Sequence, residues 1–284
     1  MKASLSQSAA ASFVALVAAA SFALAQPASE ATKEGAPKAE AAKPEFVPQV
    51  GQSGKDVVWV PTPQSLVDRM LDIAKVTTMD FVMDLGSGDG RTVITAAKRG
   101  VRAMGVEYNP NMVELSKRNA EKAGVGDTAQ FVQGDIFKTD FSKASVITLF
   151  LLPDLNRRLR PLILDMKPGT RVVSNTFDMG EWQADDTISA DSANCQSYCR
   201  AYFWIVPAKV EGTWTIPQGT LTLEQKFQFV TGTLTSGKNT VKISDGRLRG
   251  DQLTFVAGNQ RYTSTVTGNT IDGTMSPMFR ATKK

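Results

Sequence analysis
The chain has 284 residues, with 32 Lys and Arg against 28 Asp and Glu and a formal charge of +4, a balance that does not require nucleic acid as a partner. It contains no histidine, which excludes Ser-His-Asp chemistry and any His-ligated metal centre, so no metal site is expected. Its two cysteines, Cys195 and Cys199, follow Asn194 and Tyr198, so the Pro-Cys nucleophile of cytosine C5 chemistry is absent as well.

Residues 1–25 carry one charge, Lys2, then an Ala-rich apolar stretch that ends Ala23-Leu24-Ala25, the pattern of a signal peptide. The apolar run over residues 9–25 falls short of the ~20 residues a spanning helix needs. Cleavage after Ala25 is therefore expected, giving a periplasmic or secreted chain with no spanning segment; an uncleaved N-terminal anchor is the alternative. In residues 26–45, Ala, Pro, Lys and Glu supply 16 of 20 positions without apolar periodicity, which reads as a disordered linker. The rest is long enough for two domains, over residues 46–210 and 211–284, and a monomer is expected.

Thr62 and Pro63 read as N-cap and first residue of a helix whose apolar face is Leu66, Val67, Met70, Leu71 and Ala74. After it comes FVMDLGSGDG, residues 81–90. The apolar residues suit a buried parallel strand, Asp84 closes it, and Gly86, Gly88 and Gly90 shape a tight turn into a helix over residues 91–99 with Gly100 as its cap. Glycines there allow close ligand approach, and free N–H groups at a helix start favour electron-rich atoms. Residues 102–106 form a second strand ending in Glu107, 23 residues beyond Asp84, where an acid accepts from both ribose hydroxyls. The spacing GxGxG differs from the GxGxxG of a dinucleotide fold, so a nucleoside is favoured over a pyrophosphate.

On these residues the chain resembles the class I S-adenosylmethionine (SAM)-dependent methyltransferases, whose first motif is an acidic strand end followed by GxGxG. The resemblance implies that Asp84, Gly86, Ser87, Gly88 and Gly90 surround the methionine part of SAM and that Glu107 holds the ribose. It also implies that Asp135, in the phrase QGDIF after a third strand over residues 129–132, faces the adenine with Ile136 against the ring. Without the family, an Asp after a Gly at a strand end reads as a turn residue. With the upstream phrase VWVPTP, residues 58–206 look most like the small seven-strand protein-lysine methyltransferases related to the ATP-synthase c-subunit enzymes. Val60, Pro61 and Thr62 match a phrase those relatives carry, which makes Thr62 a candidate cofactor contact beside its capping role.

Helix and strand alternate onward: a helix from Asn109 and Pro110 to near Gly124, a strand over 144–151, a helix around 155–166, a strand over 170–174, a long polar connection over 177–200 and a last strand over 201–206. The fold class is thus α/β, a doubly wound, mostly parallel Rossmann-like sheet. In the resembled class the last two strands form a hairpin whose loop borders the substrate pocket, which makes Asp178, Met179, Glu181 and Trp182 rim candidates. The fourth strand ends Leu151-Leu152-Pro153, without the Asn- or Asp-Pro-Pro-aromatic cradle used for adenine or glutamine amides. With that cradle absent, the resemblance implies an amine acceptor, a protein lysine before others. Its reference pKa of about 10.4 falls in an apolar pocket beside a cationic donor, so no dedicated base is required and no catalytic residue is named. A small-molecule acceptor, or an exported binding protein without turnover, are the alternatives.

Cys195 and Cys199 in an exported chain read first as a disulfide. From Gly212 onward, Thr, Val and Phe with Gly- or Asn-containing turns about every ten residues predict six to eight short strands. That is a small all-β antiparallel meander or barrel. Leu221, Leu223, Phe227 and Phe229 fall on one strand face, and Trp214, Leu234, Val241, Ile243, Leu248, Leu253, Phe255, Tyr262, Val266, Ile271 and Met275 complete the expected core.

Overall fold
In the computed structural model the residues described are 45–191, 193, 195–217, 219–273 and 278–284. The signal-peptide expectation, the linker up to residue 44 and the core assignment of Met275 lie outside them. Glu45 pairs with Arg118 and Lys122, each at 3.3 Å.

Helix α1 (Gln64–Ile73) buries Leu66, Val67, Met70 and Leu71. Its start has no side-chain cap. Thr62, expected to be that cap, faces elsewhere: its hydroxyl accepts from Asn175 Nδ2 at 3.2 Å and its carbonyl from Arg91 Nη1 at 2.8 Å. Pro63, with ψ near 135°, is the extended residue that begins the helix.

The chain then alternates β1 (Phe81–Leu85), α2 (Arg91–Lys98), β2 (Arg102–Glu107), α3 (Pro110–Lys122), β3 (Ala129–Gln133), β4 (Val146–Leu149), α4 (Pro153–Leu164) and β5 (Arg171–Asn175). Asn109 caps α3 by accepting from the Asn111 N–H at 2.9 Å, with Pro110 at the first position. These five strands are parallel, and the sheet is completed by β6 (Asp186–Ser189) and β7 (Arg200–Ile205), giving the order β3-β2-β1-β4-β5-β7-β6. β7 runs antiparallel to β5 and pairs with β6 as a hairpin. β6 falls inside the expected polar connection: four residues at a sheet edge, none fully buried, leave no apolar period to read.

Alternation along each strand feeds two cores. Val82, Ala103 and Val146 pack with α1, α2 and α3 on one face, while Met83, Leu85 and Ile147 pack with Leu155, Leu159 and Ile163 of α4 on the other. With both faces covered, polar chemistry is left to the carboxyl ends of the strands.

The C-terminal region is an eight-strand closed barrel: β8 (Gly212–Ile216), β9 (Gly219–Lys226), β10 (Phe229–Ser236), β11 (Asn239–Arg249), β12 (Gln252–Ala257), β13 (Gln260–Thr267), β14 (Thr270–Gly273) and β15 (Arg280–Lys283), with β15 pairing β8 to close it. Trp214, Leu221, Leu223, Leu253, Phe255 and Ile271 fill the interior. Three expected core residues behave otherwise. β9 ends at Lys226, so Phe227 occupies the turn at φ 55° and Phe229 begins the next strand half-exposed; Val241 also faces solvent. A reversal between the two phenylalanines breaks the two-residue period that unites them in the sequence.

Residues 45–284 form one compact unit. Phe227 stacks on Trp182 with ring centroids 6.3 Å apart, Trp182 accepts through its carbonyl from Trp204 Nε1 at 2.8 Å, and Arg247 pairs with the buried Asp185 at 2.8 Å. Ala208 N–H donates to Gly250 O and Gln228 Nε2 to Gln183 O, each at 2.8 Å. Met179 and Trp182, expected at the substrate rim, are fully buried in this junction instead. Glu181 pairs with Lys226 at 3.1 Å and Asp178 caps the Gly180 N–H, so that stretch of loop serves the contact with the barrel.

Candidate active site
The carboxyl ends of β1, β2 and β3 open into one cleft of about 530 Å³. Three acids arrive there by the same route, each at or just past the end of a parallel strand: Asp84, Glu107 and Asp135. Gly86, Ser87, Gly88, Thr62 and Ile136 also line it.

Register explains the setting of Asp84. Its partner on β4 is Thr148, whose hydroxyl donates to Asp84 Oδ1 at 2.6 Å. Burial pushes the Asp84 carboxyl up to about 7, with the Thr148 hydrogen bond opposing and the charges of Asp89 and Glu107 adding to the rise. A cation entering the cleft favours the ionised form.

Glu107 is held by two backbone donors: the Gly88 N–H reaches Oε2 at 3.0 Å and the Asn109 N–H reaches Oε1 at 2.9 Å. The Gly86 and Ser87 N–H groups donate to Val106 O at 2.8 and 3.1 Å. The turn amides of Gly86, Ser87 and Gly88 are thus spent on β2 and Glu107, because the loop folds back over the neighbouring strand, and at the helix start the Arg91 N–H donates to Asp89 Oδ1 at 3.3 Å.

The glycines divide their work. At Gly88, with φ 54°, a Cβ would sit 2.6 Å from Trp59 Nε1. Gly90 does not line the cleft; it precedes α2 at φ 82°, where a Cβ would meet the Phe131 ring at 2.7 Å and Ser116 Cβ at 2.9 Å. Its place is the contact of α2 with β3 and α3, and the sequence pattern does not separate that from ligand contact.

Asp135 accepts from Lys55 Nζ at 2.8 Å and from the Phe137 N–H at 2.9 Å. The Lys55 hydrogen bond holds its carboxyl below the usual range. Lys55 belongs to a small hairpin over residues 51–59, tied by Gly51 N–H to Trp59 O and Trp59 N–H to Gln52 O. From it Lys55 also reaches the Tyr108 ring, 4.9 Å from the centroid, and Trp59 lies against Gly88, so the hairpin reaches from Asp135 to the glycine turn.

The family model for the ANTKMT methyltransferase domain matches residues 84–186. A protein-lysine N-methyltransferase of Saccharolobus islandicus is 46% identical over 141 residues, covering 49% of this chain and 88% of that protein. The chain belongs to the protein-lysine methyltransferase family. The ATP-synthase c-subunit lysine N-methyltransferase of Mus musculus is 39% identical over 107 residues, 37% of this chain and 43% of that protein, so the chain spans less than half of that relative. Among solved structures, an RNA methyltransferase of Salinibacter ruber in complex with S-adenosyl-L-homocysteine is 45% identical and covers 53% of this chain and 96% of that one, with a TM-score of 0.49.

The methyltransferase cleft also contains residues that no sequence motif singles out. Lys55, Trp59 and Tyr108 line it on the acidic side, and Phe150, Phe177 and Tyr198 at the ends of β4, β5 and the loop before β7. Tyr108 follows the strand-end acid directly and Trp59 stands just ahead of the V-P-T phrase, so their positions next to motif residues were the available signal.

Proposed function
We propose that this methyltransferase binds SAM in the cleft and transfers its methyl group to the side-chain amine of a protein lysine. The observation that carries the reading is the convergence of Asp84, Glu107 and Asp135, from three successive strand ends, on a single cleft beside Gly86 and Gly88. A volume of about 530 Å³ suits a nucleoside-sized ligand. The donor set suits it too. Glu107, fixed by two amides, offers its remaining lone pairs to a ribose; Asp135, once parted from Lys55, offers an acceptor to an adenine amine with Ile136 beside it; Asp84 complements a cationic amino-acid end. When bound, SAM supplies a methyl group already activated on a sulfonium, which passes to the acceptor nitrogen as the carbon–sulfur bond breaks. The chain's own task is to align the two, exclude water with the hairpin over residues 51–59, and hold the acceptor amine in an apolar wall where it loses its proton more readily.

The lysine acceptor is supported by the names of the Saccharolobus and Mus relatives, both lysine N-methyltransferases. An exported form is supported by the signal pattern over residues 1–25 and by the disulfide between Cys195 and Cys199. Residues 211–284 are read with it as an accessory domain that presents substrate. Intact-mass analysis from the native host should find a mature chain that begins at Gln26.

The test is incubation of the purified chain with tritiated SAM and poly-L-lysine, with RNA and free L-lysine as parallel acceptors, followed by acid hydrolysis and amino-acid analysis. Label in methylated lysine from the polymer supports the reading. Binding of S-adenosylhomocysteine without label in any acceptor points to a binding protein without turnover, and label in RNA alone overturns the lysine assignment.

A further inference from the structure
On the β4–β5–β7 side the cleft has a wall of different chemistry from its acidic side. Phe150 follows β4, Phe177 follows β5 and Tyr198 precedes β7. Phe150 and Phe177 stack with centroids 6.1 Å apart at 23°, and Tyr198 meets Phe150 edge-on at 5.2 Å and 63°. All three rings line the cleft that holds Asp84 and Gly86.

Two of these rings are fixed by the sheet. Phe177 lies just past β5, its carbonyl accepting from the buried Asn156 Nδ2 at 3.1 Å. Tyr198 is held by other means. It lies inside the ring closed by the Cys195–Cys199 disulfide, with Cα atoms 5.7 Å apart, and it stands at φ 58°, a left-handed backbone that a tyrosine keeps only where its surroundings impose it. Both cysteines pack against the apolar core beside Ala190, and Cys199 O accepts from the Ala190 N–H at 2.7 Å. The five-residue ring is thus pinned at both ends to the sheet edge, and Tyr198 is its residue that reaches the cleft.

Ring faces attract an alkylammonium electrostatically. They make no strong hydrogen bond to it, so the nitrogen remains able to lose its proton, as a methyl acceptor must. A carboxylate in the same place would hold the ammonium charged.

We propose that Tyr198 is a specificity-determining residue: with Phe150 and Phe177 it forms an aromatic slot for the acceptor's aminoalkyl side chain, and the Cys195–Cys199 disulfide positions it. This rests on the methyl-transfer reading above. The family model matches residues 84–186, so Phe150 and Phe177 lie within it while Tyr198 and the disulfide lie beyond it.

The experiment compares wild type, Tyr198→Ala, Tyr198→Phe and the Cys195→Ser/Cys199→Ser pair in two measurements: calorimetry with S-adenosylhomocysteine and steady-state methyl transfer to poly-L-lysine. Loss of one ring face should raise KM for the polymer about tenfold in Tyr198→Ala. Tyr198→Phe should match wild type, and the cysteine pair should follow Tyr198→Ala in KM, with S-adenosylhomocysteine affinity unchanged in all four. An unchanged KM in Tyr198→Ala overturns the slot, as does a fall in its S-adenosylhomocysteine affinity, which would assign the ring to the cofactor. A wild-type KM in the cysteine pair overturns the positioning role of the disulfide. Absence of transfer by wild type itself would instead strike the lysine reading, which the variants do not enter.

Discussion

The eight-strand barrel closes on itself and fills its interior with Trp214, Leu253 and Phe255, whereas the seven-strand sheet stays open and ends its central strands in carboxylates. In the barrel the buried Ser264 hydroxyl donates to Leu253 O at 3.2 Å, and the other buried polar side chain among its described residues, the uncharged Gln228, donates to Gln183 O at 2.8 Å. In the sheet, Asp84 is buried with a single hydroxyl donor and a carboxyl raised to about 7. A fold that only needed to be stable has no use for such a group. The contrast places the chemistry at the strand ends and leaves the barrel a packed body joined to them through Trp182 and Phe227.

The sharpest way to break that contrast is to remove the strain on Asp84. Because its folded carboxyl lies above the ordinary value of 3.8, the stability it contributes is full below about pH 4 and is lost as pH rises to about 7. The full shift corresponds to about 4 kcal/mol as an upper bound. Asp84→Asn should therefore flatten the fall in stability between pH 5 and pH 7, read from denaturant midpoints at each pH. Parallel slopes in the two proteins would show that Asp84 is not strained in the folded state. A cationic ligand works in the opposite direction, so SAM affinity for wild type should rise with pH up to about 7 and level off above it.

Gly88→Val should come next. A Cβ at φ 54° and 2.6 Å from the Trp59 ring forces the turn or the hairpin to move. The backbone strain alone costs about 1–2 kcal/mol, and S-adenosylhomocysteine binding should fall by about 100-fold, a loss of ~3 kcal/mol. Retained affinity in the calorimeter would mean that the glycine turn is not part of the site.

On the barrel side, Phe227→Ala should lower stability by about 2 kcal/mol while leaving S-adenosylhomocysteine affinity unchanged. Arg247→Ala, which leaves the buried Asp185 carboxylate with the Ile205 N–H as its remaining partner, should cost about 1.5 kcal/mol. Equal losses of stability and cofactor affinity in either variant would dissolve the distinction between the two regions. The smallest effect should come from Lys55→Ala, which frees Asp135 as an acceptor and raises S-adenosylhomocysteine affinity about twofold, since an exposed pair contributes little.

How much of this was legible in the sequence differs between the same two regions. Strands β1 to β5 and helices α1 to α4 follow from apolar runs, Gly and Pro punctuation and helical periodicity, and the three acids from their places at strand ends. Local patterns carry such information because each element's own burial dictates its residues. The hairpin over residues 51–59 and the aromatic wall did not show, because Lys55, Trp59, Phe150 and Tyr198 act through contacts made across the fold. Phe177 and Trp182, only five residues apart, illustrate the limit. One lines the cleft and the other is buried against the barrel, and no spacing rule in an irregular loop tells them apart. In the barrel the strand count was readable from turn chemistry, but a two-residue reversal at Phe227 and Gln228 was hidden inside what looked like a single amphipathic strand.

The proposed cofactor site rests most directly on Glu107, which lines the cleft with its carboxylate held by the Gly88 and Asn109 amides. Calorimetric titration of wild type and Glu107→Ala with S-adenosylhomocysteine at pH 8 measures its role. One molecule bound per chain by wild type, and affinity at least ~100-fold weaker in the variant, is the result predicted for loss of a charged acceptor. Equal affinity in the two proteins, or no binding heat from folded wild type, would contradict the claim that the strand-end carboxylates form the cofactor site.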